Sequence, residues 1–341
     1  MSVPMADAAR VGGGIGRPAR IGLVLALLAA LVLALRGLDP ARALEALASV
    51  RGAWVAAAAL CYLAILPLWA WQWHLLAPPS PSQTFSRMLR VVTTTSGVLN
   101  TTPLLVGEAT GIVLLVTQTG LDRTAALSVL AMDQLLVGIA KLVVLATAAV
   151  LAPLPDWMTR AALGLILLVA ALAALLLFAA SRGVWHGRAE STPRLTTPDP
   201  LPGSIRGRLA GALDALPGAL APLRSVRRGG GAMELALVKK AAEVCAMLCM
   251  QRAFGLDLPV GAAILALGML NLSTLLPIVP GNIGVYEGAI VLAYSRYGVS
   301  TELAVGLAAL QHLCYLLALA APGVLWAGVT RWSSASDGAR R

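Results

Sequence analysis

Charge is scarce in this sequence. Only 12% of its 341 residues are Asp, Glu, Lys or Arg, about half the share of a soluble domain, whereas 58% are hydrophobic and the mean hydropathy is +0.81. So little polar surface excludes a water-soluble fold. Histidine is scarcer still: with His74, His186 and His312 the full set, a histidine-built metal centre is not expected. Cys61, Cys245, Cys249 and Cys314 form no CxxC pair and no Cys/His cluster, and read as small residues of an apolar interior. Nothing here calls for a cofactor.

What the sequence has instead is a series of long uncharged windows, at residues 21–35, 52–73, 91–107, 161–181, 258–286 and 303–330. A bilayer core about 30 Å thick takes roughly 20 apolar residues as helix. Full spans are expected at about 21–37, 53–75, 124–151, 159–181, 234–254 and 302–330. The first has Arg17 and Arg20 ahead of it, as a signal peptide would. Further spans follow it and no small-residue cleavage site does, so a retained anchor helix is expected.

Two regions break the pattern. Residues 88–119 and 259–297 are long enough to cross but are interrupted by "NTTPLLVGEATG" and "LPIVPGNIGVYEG". Proline inside a helix removes a hydrogen bond and clashes with the preceding turn. Each region therefore reads as two half-helices joined by a break, and a break at membrane depth survives only inside protein or beside a water-filled cavity. Pro103, Gly107 and Gly111 share the spacing P-x3-G-x3-G with Pro280, Gly284 and Gly288. Further on, "GLDRTAALSVLAMDQLL" can be laid against "GVSTELAVGLAALQHLC", so that Asp133 meets Gln311 and Gln134 meets His312.

The net charge of +10 points to membrane orientation, not to nucleic acid, because its arginines cluster in loops beside the spans. Between residues 182 and 231, eight arginines face three acids, which places that loop in the cytoplasm. Its "STPRLTTPDPLPG" composition reads as an unstructured linker. Counting spans outward then puts both termini in the cytoplasm. The expected organisation is a tail at 1–20, a first membrane half at 21–181, the linker at 182–232, a second half at 233–330 and a tail at 331–341. The first hairpin enters from the cytoplasm and the second from outside. The fold class is therefore all-α: a polytopic bundle of about six spans plus two re-entrant hairpins in an inverted repeat, an architecture that places substrate sites near the midplane.

Ionisable groups at membrane depth are expensive and face a cavity or a partner. Glu108 and Glu287 stand beside the breaks, where two roles fit: capping a half-helix N-terminus or touching substrate. Asn100 and Asn282 bring amides to the same places, with structural and functional roles both open. Asp133 and Lys141 share a span about 12 Å apart along its axis, so each needs a partner elsewhere. Asp133 reads as a fixed structural charge or as part of a proton or substrate path, and Lys141 as a side chain able to snorkel. Lys239, Lys240 and Glu243 read as an interfacial anchor with Lys239 and Glu243 at i, i+4. Trp54, Trp69, Trp71, Trp73 and Trp157 read as an aromatic belt. The expected substrate pathway is Asn100, Pro103, Gly107, Glu108, Asp133, Gln134, Lys141, Pro280, Gly281, Asn282, Gly284, Glu287, Gly288 and His312.

At "NTTPLLVGE" (100–108) and "PGNIGVYEG" (280–288) the chain resembles the transmembrane region of lysylphosphatidylglycerol synthases, also called flippase-like membrane proteins. The resemblance runs from about 20 to 330. It implies a bacterial inner-membrane protein that moves a lipid or lipid-linked molecule between leaflets. A lipid-modifying enzyme or a second copy would be its partner. The soluble aminoacyl-transferase domain of some members is not expected here, nor is lysine transfer. Family members often carry arginine where this chain has Leu105, Gly111 and Tyr286, and an arginine fork is the natural phosphate clamp. Its absence implies a neutral or hopanoid-type lipid. The competing reading is an intramembrane transferase acting on a lipid-linked substrate, which would need a general base beside a nucleophile. No Asp/His or Asp/Asp constellation is legible in the sequence. A purely structural subunit would have little use for a broken, charged interior.

Overall fold

The computed structural model describes residues 48–79, 83–102, 106–152, 155–187, 226–275 and 279–326. The expected first span at 21–37, both tails, Pro103 and most of the linker lie outside the described residues. Among those described the protein is all-helical: α1 (Gly52–Leu76), α2 (Phe85–Leu99), α3 (Val106–Thr119), α4 (Arg123–Leu151), α5 (Asp156–Gly187), α6 (Val226–Ala253), α7 (Val260–Ser273), α8 (Val285–Ser295) and α9 (Thr301–Leu319).

Four helices are long and apolar enough to cross a membrane: Gly52–Leu76, Arg123–Leu151, Asp156–Ala174 and Thr301–Trp326. The expected span at 234–254 is a 28-residue helix that starts earlier, at Val226, but it is not among those four. Its length suffices, at about 42 Å. Its composition differs because it carries Glu234, Lys239, Lys240 and Glu243.

Both interrupted regions are helical hairpins. The first pairs α2 and α3, of 15 and 14 residues, and the second pairs α7 and α8, of 14 and 11. At 1.5 Å per residue none exceeds about 22 Å, too short for a full crossing. Their orientation follows from the central pair, α1 and α6. Arg51 N–H donates to the Ala253 carbonyl at 3.0 Å, and at the far end Gly231 lies against Leu75, so the two helices run antiparallel along their whole length. The first hairpin leaves from the end of α1 and the second from the end of α6, so they enter the bundle from opposite ends. Their tips meet, since a methyl group on Gly281 would lie 3.2 Å from the Asn100 carbonyl oxygen.

Close approach is specified by small residues. A Cβ on Gly107 would sit 2.6 Å from Leu99 Cα, so α2 and α3 cross there with no room for a side chain. Two residues before Leu99 on α2, a Cβ on Gly97 would lie 3.1 Å from Gly323 Cα, and one on Gly323 would lie 2.2 Å from the Thr93 carbonyl oxygen. Such contacts let membrane helices pack backbone to backbone.

The apolar interior forms two clusters. One gathers Tyr62, Trp73, Met88, Leu115, Met132 and Met250, and the other gathers Met158, Met247, Leu265, Met269, Ile290 and Tyr294. Tyr315 packs against both. Tyr62 of the first cluster meets Tyr286 of the second, hydroxyl to hydroxyl, at 3.4 Å.

Candidate functional site

The second break is built by left-handed backbone. Pro280–Asn282 form a single 3-10 turn, with φ of 61° at Gly281, 53° at Asn282 and 84° at Gly284. Glycine adopts that region freely and asparagine tolerates it, which accounts for the residues of "PGNIG". The turn delivers Gly284 to the N-cap of α8. There Glu287, the third residue of the helix, accepts the Gly284 N–H through Oε2 at 2.6 Å. This is the reach-back half of a capping box. Its Oε1 lies 2.6 Å from His312 Nδ1. Glu287 is thus both a cap and one half of a carboxylate–histidine pair, and the latter was not legible in the sequence because its members are 25 residues apart on different helices.

His312 is 3% exposed, and its Nε2 has no hydrogen-bond partner among the described residues. With Nδ1–H donating to the carboxylate, Nε2 is left as an open acceptor. The Tyr286 ring stacks on the imidazole at 4.1 Å and 6°. Gln311 Nε2 donates to Tyr286 Oη at 2.9 Å, and Tyr62 Oη lies 3.4 Å from the same atom. Tyr315 sets its ring edge-on to Tyr62 at 5.5 Å. Glu243 lies within electrostatic range of Tyr62 and Tyr315, which extends the seam towards α6.

On that side Asp133 finds its partners. Its Oδ2 accepts from Trp69 Nε1–H at 3.2 Å, and its Oδ1 is 3.7 Å from Lys239 Nζ. The two side chains are 4% and 8% exposed. Lys240 Nζ donates to both Glu243 oxygens at 2.8 Å and to Asn271 Oδ1 at 3.3 Å. The interfacial-anchor reading of these lysines is therefore corrected: they turn into the bundle, and the ion pair is Lys240–Glu243 at i, i+3. Trp69 and Trp73 also leave the expected belt, one as a donor to Asp133 and the other fully buried, whereas Trp54, Trp71 and Trp157 are exposed. Of the cysteines only Cys314 is buried.

The first break is described at its edges. Asn100 caps α2, donating its amide to the Ser96 carbonyl at 2.9 Å. Glu108 is the third residue of α3, as Glu287 is of α8, although the P-x3-G-x3-G spacing sets the two glutamates out of register. Its Oε2 is buried without a hydrogen-bond partner among the described residues. Lys141 is half-buried, within electrostatic range of Lys240 and Glu243. Gln134 is exposed, as is Gly288, so neither joins the polar seam. Sequence reasoning missed Tyr62, Tyr286, Gln311, Tyr315 and Asn271 as seam residues. It also missed Gln72, which is fully buried on α1 with both amide atoms unpartnered among the described residues. The one usable signal was the alignment of Gln311 with Asp133. No cluster of three or more His, Cys, Asp or Glu side chains among the described residues has metal-binding geometry.

A family model described as the lysylphosphatidylglycerol synthase TM region matches residues 20–323. No curated protein and no solved structure matches the chain.

Proposed function

The chain belongs to the lysylphosphatidylglycerol synthase TM region family, and from that premise we propose that it carries a lipid or lipid-linked molecule from one leaflet to the other without altering it. One observation carries this reading. Two short hairpins entering from opposite ends meet at Gly281 and Asn100, and the Tyr286 and Glu287 side chains follow immediately on the second tip, with His312 of α9 against them. A headgroup passing the tips would find hydrogen-bonding partners there while its tails stayed in lipid, the logic of discontinuous-helix transporters. The protein sits in the inner membrane of a bacterium with both termini in the cytoplasm, as its arginine distribution favours. A lipid-modifying enzyme or a second copy would be its partner.

The test is leaflet transfer of a labelled lipid in reconstituted vesicles. Glu287→Gln and Glu108→Gln each abolish transfer while leaving the protein inserted, and unchanged transfer in both variants overturns the reading.

A second reading has an observation of its own. The Glu287–His312 pair, with Nε2 open, has the form of an oriented general base, which favours an intramembrane transferase. Purified protein incubated with a labelled lipid and a group donor separates the two, since a transferase makes a new product and a translocator makes none.

A further inference from the structure

The contact between the central helices α1 and α6 carries three thiols that the polar seam does not use. The helices run antiparallel, tied at one end by Arg51 to Ala253 and touching at the other through Leu75 and Gly231. In that register Cys61 stands level with residues 243–245 of α6. Cys245 is therefore opposite it. Cys249 lies one helical turn further along, about 6 Å away on the same side of α6. Small residues hold the two helices close, since Ala58, Ala236 and Ala246 are fully buried between them and their neighbours. Cys61 and Cys249 pack against the same apolar cluster, and their thiols are within hydrogen-bonding reach of each other.

Exposure ranks the three. Cys61 and Cys249 are half-buried, whereas Cys245 is exposed. The site is also deep: Cys61 lies near the middle of α1, a 25-residue helix long and apolar enough to cross a membrane. Thiols in the cytosol are kept reduced by glutathione and thioredoxin. Neither of those charged, water-soluble reductants enters the acyl region. The redox state of thiols at this depth is set by what dissolves there.

We propose that Cys61 and Cys249 form a dithiol–disulfide couple that joins α1 to α6 and is oxidised by a membrane-dissolved quinone. Two S–H bonds break and one S–S bond forms, while two electrons and two protons pass to the quinone, which leaves as the quinol. Cys245, exposed one turn away, marks the side from which the quinone arrives. The bridge ties the helix that runs into the first hairpin to the helix that runs into the second. This goes beyond the translocator reading and does not depend on it.

The experiment is oxidation of the full chain in lipid vesicles by decyl-ubiquinone, with copper–phenanthroline as a stronger membrane-permeant oxidant. Remaining thiols are then trapped with a maleimide in SDS and the digest is read by mass spectrometry. In wild type two of the four thiols escape the maleimide, and the peptide of Cys61 is linked to Cys249. A phosphine reductant restores all four. Cys61→Ala and Cys249→Ala give no bridge, and Cys245→Ala keeps it. The oxidised wild type melts at a higher temperature than the reduced form, because a cross-link constrains the unfolded chain; Cys61→Ala shows no such shift. Four free thiols after both oxidants overturn the couple. A bridge made by copper–phenanthroline alone overturns the quinone as oxidant, and a bridge from Cys61 to Cys245 overturns the place of Cys249. Linked peptides that mix light and heavy isotopes from two co-reconstituted preparations place the bridge between copies and overturn it within the chain. Since the wild type carries the decisive reading, a misfolded variant cannot hide a negative result.

Discussion

The two hairpins share a plan and differ in what they do with its most crowded point. Counted from the start of the helix after the break, Gly107 occupies the second position in the first hairpin and Tyr286 the second position in the other. At Gly107 the neighbouring helix is so near that a Cβ would meet Leu99 Cα at 2.6 Å. At Tyr286 the hairpin admits a full aromatic ring, which stacks on His312 and bonds to Gln311. The following glutamate diverges likewise: Glu287 is held by Gly284 and His312, while Glu108 has a buried oxygen with no partner among the described residues. The repeat has kept the backbone device and reassigned the side chains. One hairpin is packed against itself and the other is built into a hydrogen-bonded seam.

Four substitutions would break or sharpen that contrast, each read as thermal unfolding of the purified protein in detergent. The largest effect is expected from Tyr286→Ala, which removes a buried ring and strands the Gln311 amide; a loss of about 3–5 kcal/mol is expected. A loss below about 1 kcal/mol would show that the ring is not integral to the second hairpin. Next is Gly107→Val, whose side chain must displace the backbone of α2, at about 1–3 kcal/mol or more. If valine were accepted freely there, the self-packed description of the first hairpin would fall. The smallest effect concerns the glutamates. Glu287→Gln forfeits a charged hydrogen bond, about 1.5–3 kcal/mol before solvent screening at this partly exposed residue. Glu108→Gln should cost clearly less, because its buried oxygen has no partner to lose among the described residues. Equal losses would mean that the two carboxylates are held alike.

Much of this was legible in the sequence, for a physical reason. Proline and glycine act on their own backbone, so the breaks at 100–105 and 274–284 announce themselves locally. Spans announce themselves through length and hydropathy. Partnership is different, because it depends on which side of a helix meets which neighbour. Lys239 and Lys240 beside an apolar segment look like an anchor until α6 is laid antiparallel on α1, which carries Lys239 to Trp69 and, across α4, to Asp133. Gln134 looked like the counterpart of His312, yet it lies on the outer face of α4. The histidine–glutamate pair was hidden for the same reason, since Glu287 and His312 meet only when α8 folds back on α9.

The crossing of Gly97 and Gly323 has a mechanical meaning. With main chain resting on main chain and no rotamer between them to give way, α2 has no cushion against the final helix. A tilt of the first hairpin therefore presses directly on residues 320–326, which ties the two halves of the chain together at this point.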